Sequence, residues 1–197
     1  MIAAVKKGPN GHFTTGIFGT KYILEALSEA GKINEVYKIV NSTKYPGWGH
    51  MIDRGATTIW ETWKESDNVY SNCHPMFGTI TEWYFRWLAG IQPDDKFPGF
   101  EKFNLSPNLP EGLKSVNCSY KSPFGIIVSN WENKAKEKQL YYFEIPPGTE
   151  ARATIPLKEG QIIKINESAG SVSLKEEGRK NSFILKPGKY NLTVEPE

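Results

Sequence analysis

The chain has 197 residues, 39% of them apolar and 23% charged, and 24 basic side chains against 22 acidic ones leave a net charge of +2. That length holds one large domain or two small ones around an ordinary core, and the balance is that of a globular chain, not a disordered one. No basic block points to nucleic acid, and no apolar run reaches the ~18 residues that a membrane span needs.

Residues 1–7 place their charge after a short apolar stretch, the reverse of a secretory leader, so export is not legible here. Three helices follow. Ile23, Ala26, Leu27 and Ala30 recur at three- and four-residue steps and stop at Gly31. A second helix opens near Asn34 as N-cap and carries Val36, Tyr37, Ile39 and Val40, ending before Pro46 and Gly47. The third has the broadest stripe: Phe77, Ile80, Trp83, Tyr84, Trp87 and Leu88, with Glu82 and Arg86 four apart on the other side and Gly90 closing it. Between the second and third lies a long irregular stretch, 44–75, holding Tyr45, Trp48, Trp60 and Trp63. A structureless stretch of that length is usually functional when it is not disordered, and its tryptophans argue against disorder.

Residues 91–113 form a connector rich in proline and glycine (Pro93, Pro98, Gly99, Pro107, Pro110). Beyond it the period changes to two. Strands are expected at 115–120, 125–131, 139–145, 150–155, 161–165, 171–174, 181–185 and 189–194, separated by turn signals such as Pro146, Pro147 and Gly148. Short strands at this spacing predict an antiparallel β-sandwich. The expected organisation is a helical domain over 1–96 and a β-domain over 97–197. Three helices bury their own apolar faces poorly, and Phe77, Trp83 and Trp87 want partners that the chain barely provides.

The side chains that invite chemistry lie in the helical part. Glu61 stands between Trp60 and Trp63. Sugar rings stack on aromatic faces, and a carboxylate beside them can take a proton from water. Thr58 and Glu61 also have the spacing of a capping box, in which the carboxylate would serve its own helix start, and the tryptophans would then be core. His74, just before the third helix, could hydrogen-bond a ligand hydroxyl or orient a carboxylate. His12, in the Gly-His-Phe-Thr-Thr-Gly run at 11–16, could face the same cavity, while Asp53 and Arg54 fit a loop-holding pair. No two of His12, His50 and His74 stand at metal-ligand spacing, and neither a G-x-S-x-G elbow nor a Walker loop is present. No metal or cofactor is implied. Cys73 and Cys118 form no metal pattern and read as free thiols, with a single bridge left open.

Several motifs together carry a resemblance. Gly-His-Phe-Thr-Thr-Gly at 11–16, Tyr-Pro-Gly-Trp-Gly at 45–49, Gly-Ala-Thr-Thr-Ile-Trp-Glu at 55–61, His-Pro-Met-Phe-Gly at 74–78 and the stretch from Trp83 to Ile91 occur in this order in bacterial α-L-rhamnosidases. Pro-Gly-Phe at 98–100 and Ser-Pro-Phe-Gly at 122–125 resemble the start of that family's C-terminal β-domain. The resemblance implies a partial α/α-toroid of helical hairpins followed by the β-sandwich, an inverting glycosidase acting on rhamnose-containing glycosides, and a bacterial parent enzyme that could be periplasmic, secreted or cytoplasmic. It implies Glu61 as general base, and His74, Trp48, Trp60 and Trp63 as the wall of the rhamnose pocket, to which His12 is added as a substrate-binding residue from its loop. It also implies that the general acid lies upstream of residue 1. The isolated chain is then expected to be inactive and, with apolar helical faces uncovered, to self-associate. The contrasting expectations are a carbohydrate-binding module or a structural brace. Binding by the sandwich requires aromatic side chains on its exposed face. After residue 110 there is Trp131, and the tyrosines and phenylalanines alternate as core residues would, which favours bracing.

Overall fold

The computed structural model describes residue 8 and residues 11–65, 71–134, 137–174 and 181–197. The leader question at 1–7 lies outside them. The chain divides into two compact units, one ending at Tyr84 and the other starting at Phe85.

In the first unit, α1 (Ile17–Glu29) and α2 (Ile33–Val40) form a hairpin. Gly31, with φ of 71°, makes the turn between them, and Ala30, Gly31 and Lys32 donate to the last carbonyls of α1. Leu24 and Leu27 of α1 and Val36 and Val40 of α2 are buried, as the three- and four-residue spacing requires. Lys32, not Asn34, is the N-cap of α2: Ile33 is already helical and buried. The stretch read as irregular contains a short helix, α3 (Trp48–Asp53). Gly49 lets α3 lie against the end of α2, since a Cβ there would sit 2.4 Å from the Ser42 carbonyl oxygen. Asp53 and Arg54 are exposed at its C-terminal end.

The third helix is built in three geometries. A 3₁₀ turn (Pro75–Gly78) leads into α4 (Thr79–Trp83), which widens into a π-turn (Tyr84–Leu88). A π-turn is rare and adds a residue to the helical repeat, so the stripe does not run on one face throughout. Within the first unit Phe77, Ile80 and Trp83 point inward, and the Trp83 indole N–H donates to Ser28 Oγ on α1 at 2.8 Å. Glu82 pairs with Lys21 of α1 at 2.8 Å.

The second unit is two five-stranded sheets around one core. One sheet has the order β1 (Ile91–Pro93), β2 (Lys102–Leu105), β6 (Glu150–Thr154), β9 (Ser182–Leu185), β8 (Val172–Leu174). The other has β3 (Ser115–Ser122), β4 (Gly125–Asn133), β5 (Gln139–Ile145), β10 (Gly188–Pro196), β7 (Gln161–Ser168). Pairing is antiparallel except between β2 and β6, which run parallel. The connector thus supplies two strands that its prolines and glycines conceal, and β1 places the start of this unit ahead of residue 96. Alternating inward residues (Ile127 and Trp131 on β4, Tyr141 and Phe143 on β5, Tyr190 and Leu192 on β10) meet Phe103, Leu105, Ala151 and Leu185 from the other sheet. Trp131 donates to the Leu88 carbonyl at 2.8 Å and Ser129 to that of Ala89 at 2.6 Å, which fastens the segment entering the sandwich. Gly90 is required there: its φ is 76°, and a Cβ would lie 2.2 Å from the backbone of Ser106 and Pro107.

Candidate active site

The motifs at 11–16, 45–49, 58–63 and 71–78 are distant in sequence and tied together in the first unit. His12 is buried, and its Nδ1 donates to the Pro46 carbonyl at 2.5 Å. A carbonyl can only accept, so Nδ1 carries the proton and the histidine holds the turn that presents Trp48. Trp48 begins α3 and donates its indole N–H to the Phe77 carbonyl at 2.9 Å. Trp63 donates to the Thr15 carbonyl at 2.8 Å. The Trp63 and Phe77 rings stack at 3.9 Å, and Trp48 meets Trp63 edge-on at 5.0 Å. Both indole N–H groups therefore end on backbone oxygens, which permits their burial. Trp60 is buried as well.

The segment carrying Glu61 is not helical, so Thr58 and Glu61 make no capping box. It pairs with 71–74 instead. Glu61 N–H donates to the Ser71 carbonyl at 2.9 Å, and Ser71 N–H returns a bond to Glu61 Oε2 at 2.8 Å. His74 N–H donates to the Ile59 carbonyl at 2.7 Å, and the Thr58 hydroxyl donates to the Asn72 carbonyl. This clasp fixes the half-buried carboxylate from a donor ten residues further on. Nothing in a helix-start pattern signals Ser71, because the bond depends on two extended segments meeting.

His74 is the N-cap of the 3₁₀ turn. Its Nδ1 accepts from Met76 N–H at 3.3 Å, so the neutral ring keeps its proton on Nε2 as a donor. The two histidines hence have opposite tautomers: His12 spends its N–H on the backbone, whereas His74 spends its lone pair there and retains an N–H.

A hollow of about 310 Å³ lies nearby, lined by Trp48, Met51, Ile59, Ile80 and Tyr84 among others, and is mainly apolar. Trp48 is the one residue of the sequence-predicted set in its lining; Glu61, His74, Trp60, Trp63 and His12 are not part of it. Met51 escaped sequence reasoning because α3 was hidden in a stretch without period, and Tyr84, read as part of the third-helix stripe, reaches this hollow where the helix widens. Among the described residues no group of His, Cys, Asp and Glu is arranged to hold a metal ion. Cys73 is exposed and Cys118 half-buried, and both are free thiols; burial pushes the Cys118 thiol up to about 11.

Residues 1–88 match the bacterial alpha-L-rhamnosidase 6 hairpin glycosidase domain, and residues 90–170 match the bacterial alpha-L-rhamnosidase C-terminal domain. The chain belongs to the bacterial α-L-rhamnosidase family. An alpha-L-rhamnosidase of Formosa agariphila is 31% identical over 96% of the chain, and one of Streptomyces avermitilis 25% identical over 98%. The chain spans about a fifth of the length of these rhamnosidases (22% and 19%). Among solved structures, the alpha-L-rhamnosidase from Dictyoglumus thermophilum superposes with a TM-score of 0.82 at 31% identity, covering 93% of this chain and 21% of that one. The Streptomyces avermitilis enzyme, complexed with L-rhamnose, gives 0.84 at 23% identity over 98% of this chain and 19% of that one, which speaks to the fold. The helical hairpins followed by paired β-sheets are thus the rhamnosidase arrangement of a six-hairpin domain and its C-terminal β-domain.

Proposed function

We propose that this chain supplies the general-base half of an inverting α-L-rhamnoside hydrolase. Inverting hydrolysis uses two carboxyl groups about 6.5–9.5 Å apart: one protonates the leaving oxygen, and the other takes a proton from the water that attacks the opposite face of the sugar. Glu61 is the base in this reading. The observation that carries it is the clasp: Ser71 N–H holds one carboxylate oxygen at 2.8 Å while the residue stays half-exposed. A carboxylate fixed by a backbone donor is held in one orientation, as a base that must meet a water on one face of the sugar requires. His74 offers Nε2–H to a sugar hydroxyl. Trp48, Trp63 and Phe77 form an interlocked aromatic cluster in the same unit, and His12 holds the turn before Trp48 through Pro46. The general acid belongs to polypeptide other than these 197 residues, so the isolated chain hydrolyses no rhamnoside.

The test is a chimera in which this chain replaces the matching segment of the Formosa agariphila rhamnosidase. The chain alone is expected to release no product from an aryl α-L-rhamnoside, and the chimera to release it. Glu61→Gln in the chimera is expected to lower kcat by about 10²–10⁴-fold, the usual worth of a general base, with azide restoring turnover as a rhamnosyl azide of inverted configuration. An unaltered kcat in that variant, or hydrolysis by the isolated chain, would refute the assignment.

A further inference from the structure

The solvent face of the sheet formed by β3, β4, β5 and β10 carries a feature that neither the strand pattern nor the proposed hydrolysis accounts for. Asn117, Asn130, Tyr142 and Asn191 are direct cross-strand partners: Asn117 faces Asn130, Asn130 faces Tyr142, and Tyr142 faces Asn191. They make one row across four adjacent strands, spanning about 14 Å at the usual strand separation. Asparagine is depleted in strands, because its short amide competes with the ladder for backbone hydrogen bonds. Three in one row is a local rule broken at a cost in sheet propensity, and such breaks mark functional positions. The neighbouring row is of the ordinary solvated kind: Ser119, Val128, Glu144 and Lys189 lie side by side, with Glu144 and Lys189 3.8 Å apart.

The row is also concave. It lines a groove of about 470 Å³ whose wall includes Glu132 and Leu140. Tyr142 is an aromatic side chain at an outward position of the alternation: Tyr141 and Phe143 beside it are buried in the core, while Tyr142 faces out. Its hydroxyl donates to Glu144 Oε2 at 3.2 Å, which restrains the ring. Asn130 Oδ1 accepts from Cys118 N–H at 2.9 Å, which fixes its amide and leaves the NH₂ to donate.

We propose that this face is a non-catalytic binding site for a neutral glycan, with Tyr142 as the stacking platform and Asn117, Asn130 and Asn191 as hydrogen-bonding groups. An amide offers a donor and an acceptor side by side, as adjacent sugar hydroxyls require, and a phenol ring offers an apolar face to the C–H side of a pyranose. The row itself carries no charge, which selects against anionic polymers and folded basic or acidic partners. The site lies wholly in the second unit and does not depend on the catalytic reading.

Native electrophoresis of the full chain through gels containing xyloglucan, galactomannan or dextran tests this, with polygalacturonate as the acidic comparator. Retardation by at least one neutral polymer is expected. Tyr142→Ala should weaken it about tenfold, the size of one aromatic contact, and Tyr142→Phe should retain it. Asn117→Ala, at an exposed position, should weaken it about fivefold, the size of one hydrogen bond, and Glu61→Gln should leave it unchanged. The proposal is overturned by any of four results: no retardation in the neutral gels, retardation by polygalacturonate alone, equal retardation of Tyr142→Ala and the parent chain, or loss of retardation in Glu61→Gln. A change of oligomeric state in Tyr142→Ala, read by light scattering, would show the face to be a protein contact and would also overturn it.

Discussion

The two units bury their aromatic residues in opposite ways. In the unit from Phe85 onward, the large side chains alternate into one closed core, and Trp131, Tyr141, Phe143 and Tyr190 are almost wholly inaccessible. In the unit ending at Tyr84, the indoles of Trp48, Trp63 and Trp83 are pinned individually to a backbone or serine oxygen. Its outer surface meanwhile keeps Phe18 and Tyr22, one turn apart on α1, and Ile52 on α3 at 70–72% exposure. A sandwich closes its apolar faces on each other, whereas a pair of helical hairpins leaves one face over. Self-sufficiency is therefore a property of the β-unit, and the helical unit is organised for precise placement of loops.

The comparison can be broken by separating the units, which has the largest expected effect. Residues 85–197 alone should unfold cooperatively with an unchanged thermal midpoint, while residues 1–84 alone should lose the near-ultraviolet signal of their tryptophans and bind a hydrophobic dye. A cooperative, dye-free first unit would erase the distinction. Next, Trp131→Ala should cost about 3–5 kcal/mol in denaturant unfolding, through the cavity it leaves and the donor lost to the Leu88 carbonyl. A smaller loss, about 1 kcal/mol, is expected for Trp63→Phe, which keeps the stack on Phe77 and removes the bond to Thr15; a loss as large as that at Trp131 would mean that the helical unit is packed as tightly as the sandwich. The smallest effect concerns pH. Lys186 beside Glu150 holds its carboxyl below the usual carboxylate range. The folded form therefore gains stability above the unfolded-state value of about 4.3 and loses it as pH falls through the lower folded value. Lys186→Met should flatten that acid-limb slope and change neutral stability by less than about 1 kcal/mol, since the pair is at the surface.

The sequence made the sandwich legible because period-two alternation is local: β5 and β6 can be placed from their own residues. It hid β1 and β2, since two short strands among Pro93, Pro98 and Pro107 carry too few residues to show a period. Only the register shows that the outward Tyr142 shares a row with three asparagines. In the helical unit, the α1–α2 hairpin is readable from spacing and Gly31, but the widening at Tyr84 is not, because a π-turn leaves no compositional mark. Glu61 and His74 were visible as chemical types in a suggestive setting. Their restraints were not, because Ser71 N–H and the Ile59 carbonyl are backbone groups that any residue would supply.

The parallel pairing of β2 with β6 has a consequence for assembly. Lys102 lies beside Glu150 with the whole of β3, β4 and β5 between them. β3, β4 and β5 form a meander that zips from nearest neighbours, whereas pairing β2 with β6 must close across a loop of about 48 residues, an entropic debt that the meander shortens as it condenses. Connectivity therefore sets a schedule, in which the meander bearing Asn117, Asn130 and Tyr142 takes shape first and the pairings of β10 with β5 and of β2 with β6 are recruited afterwards.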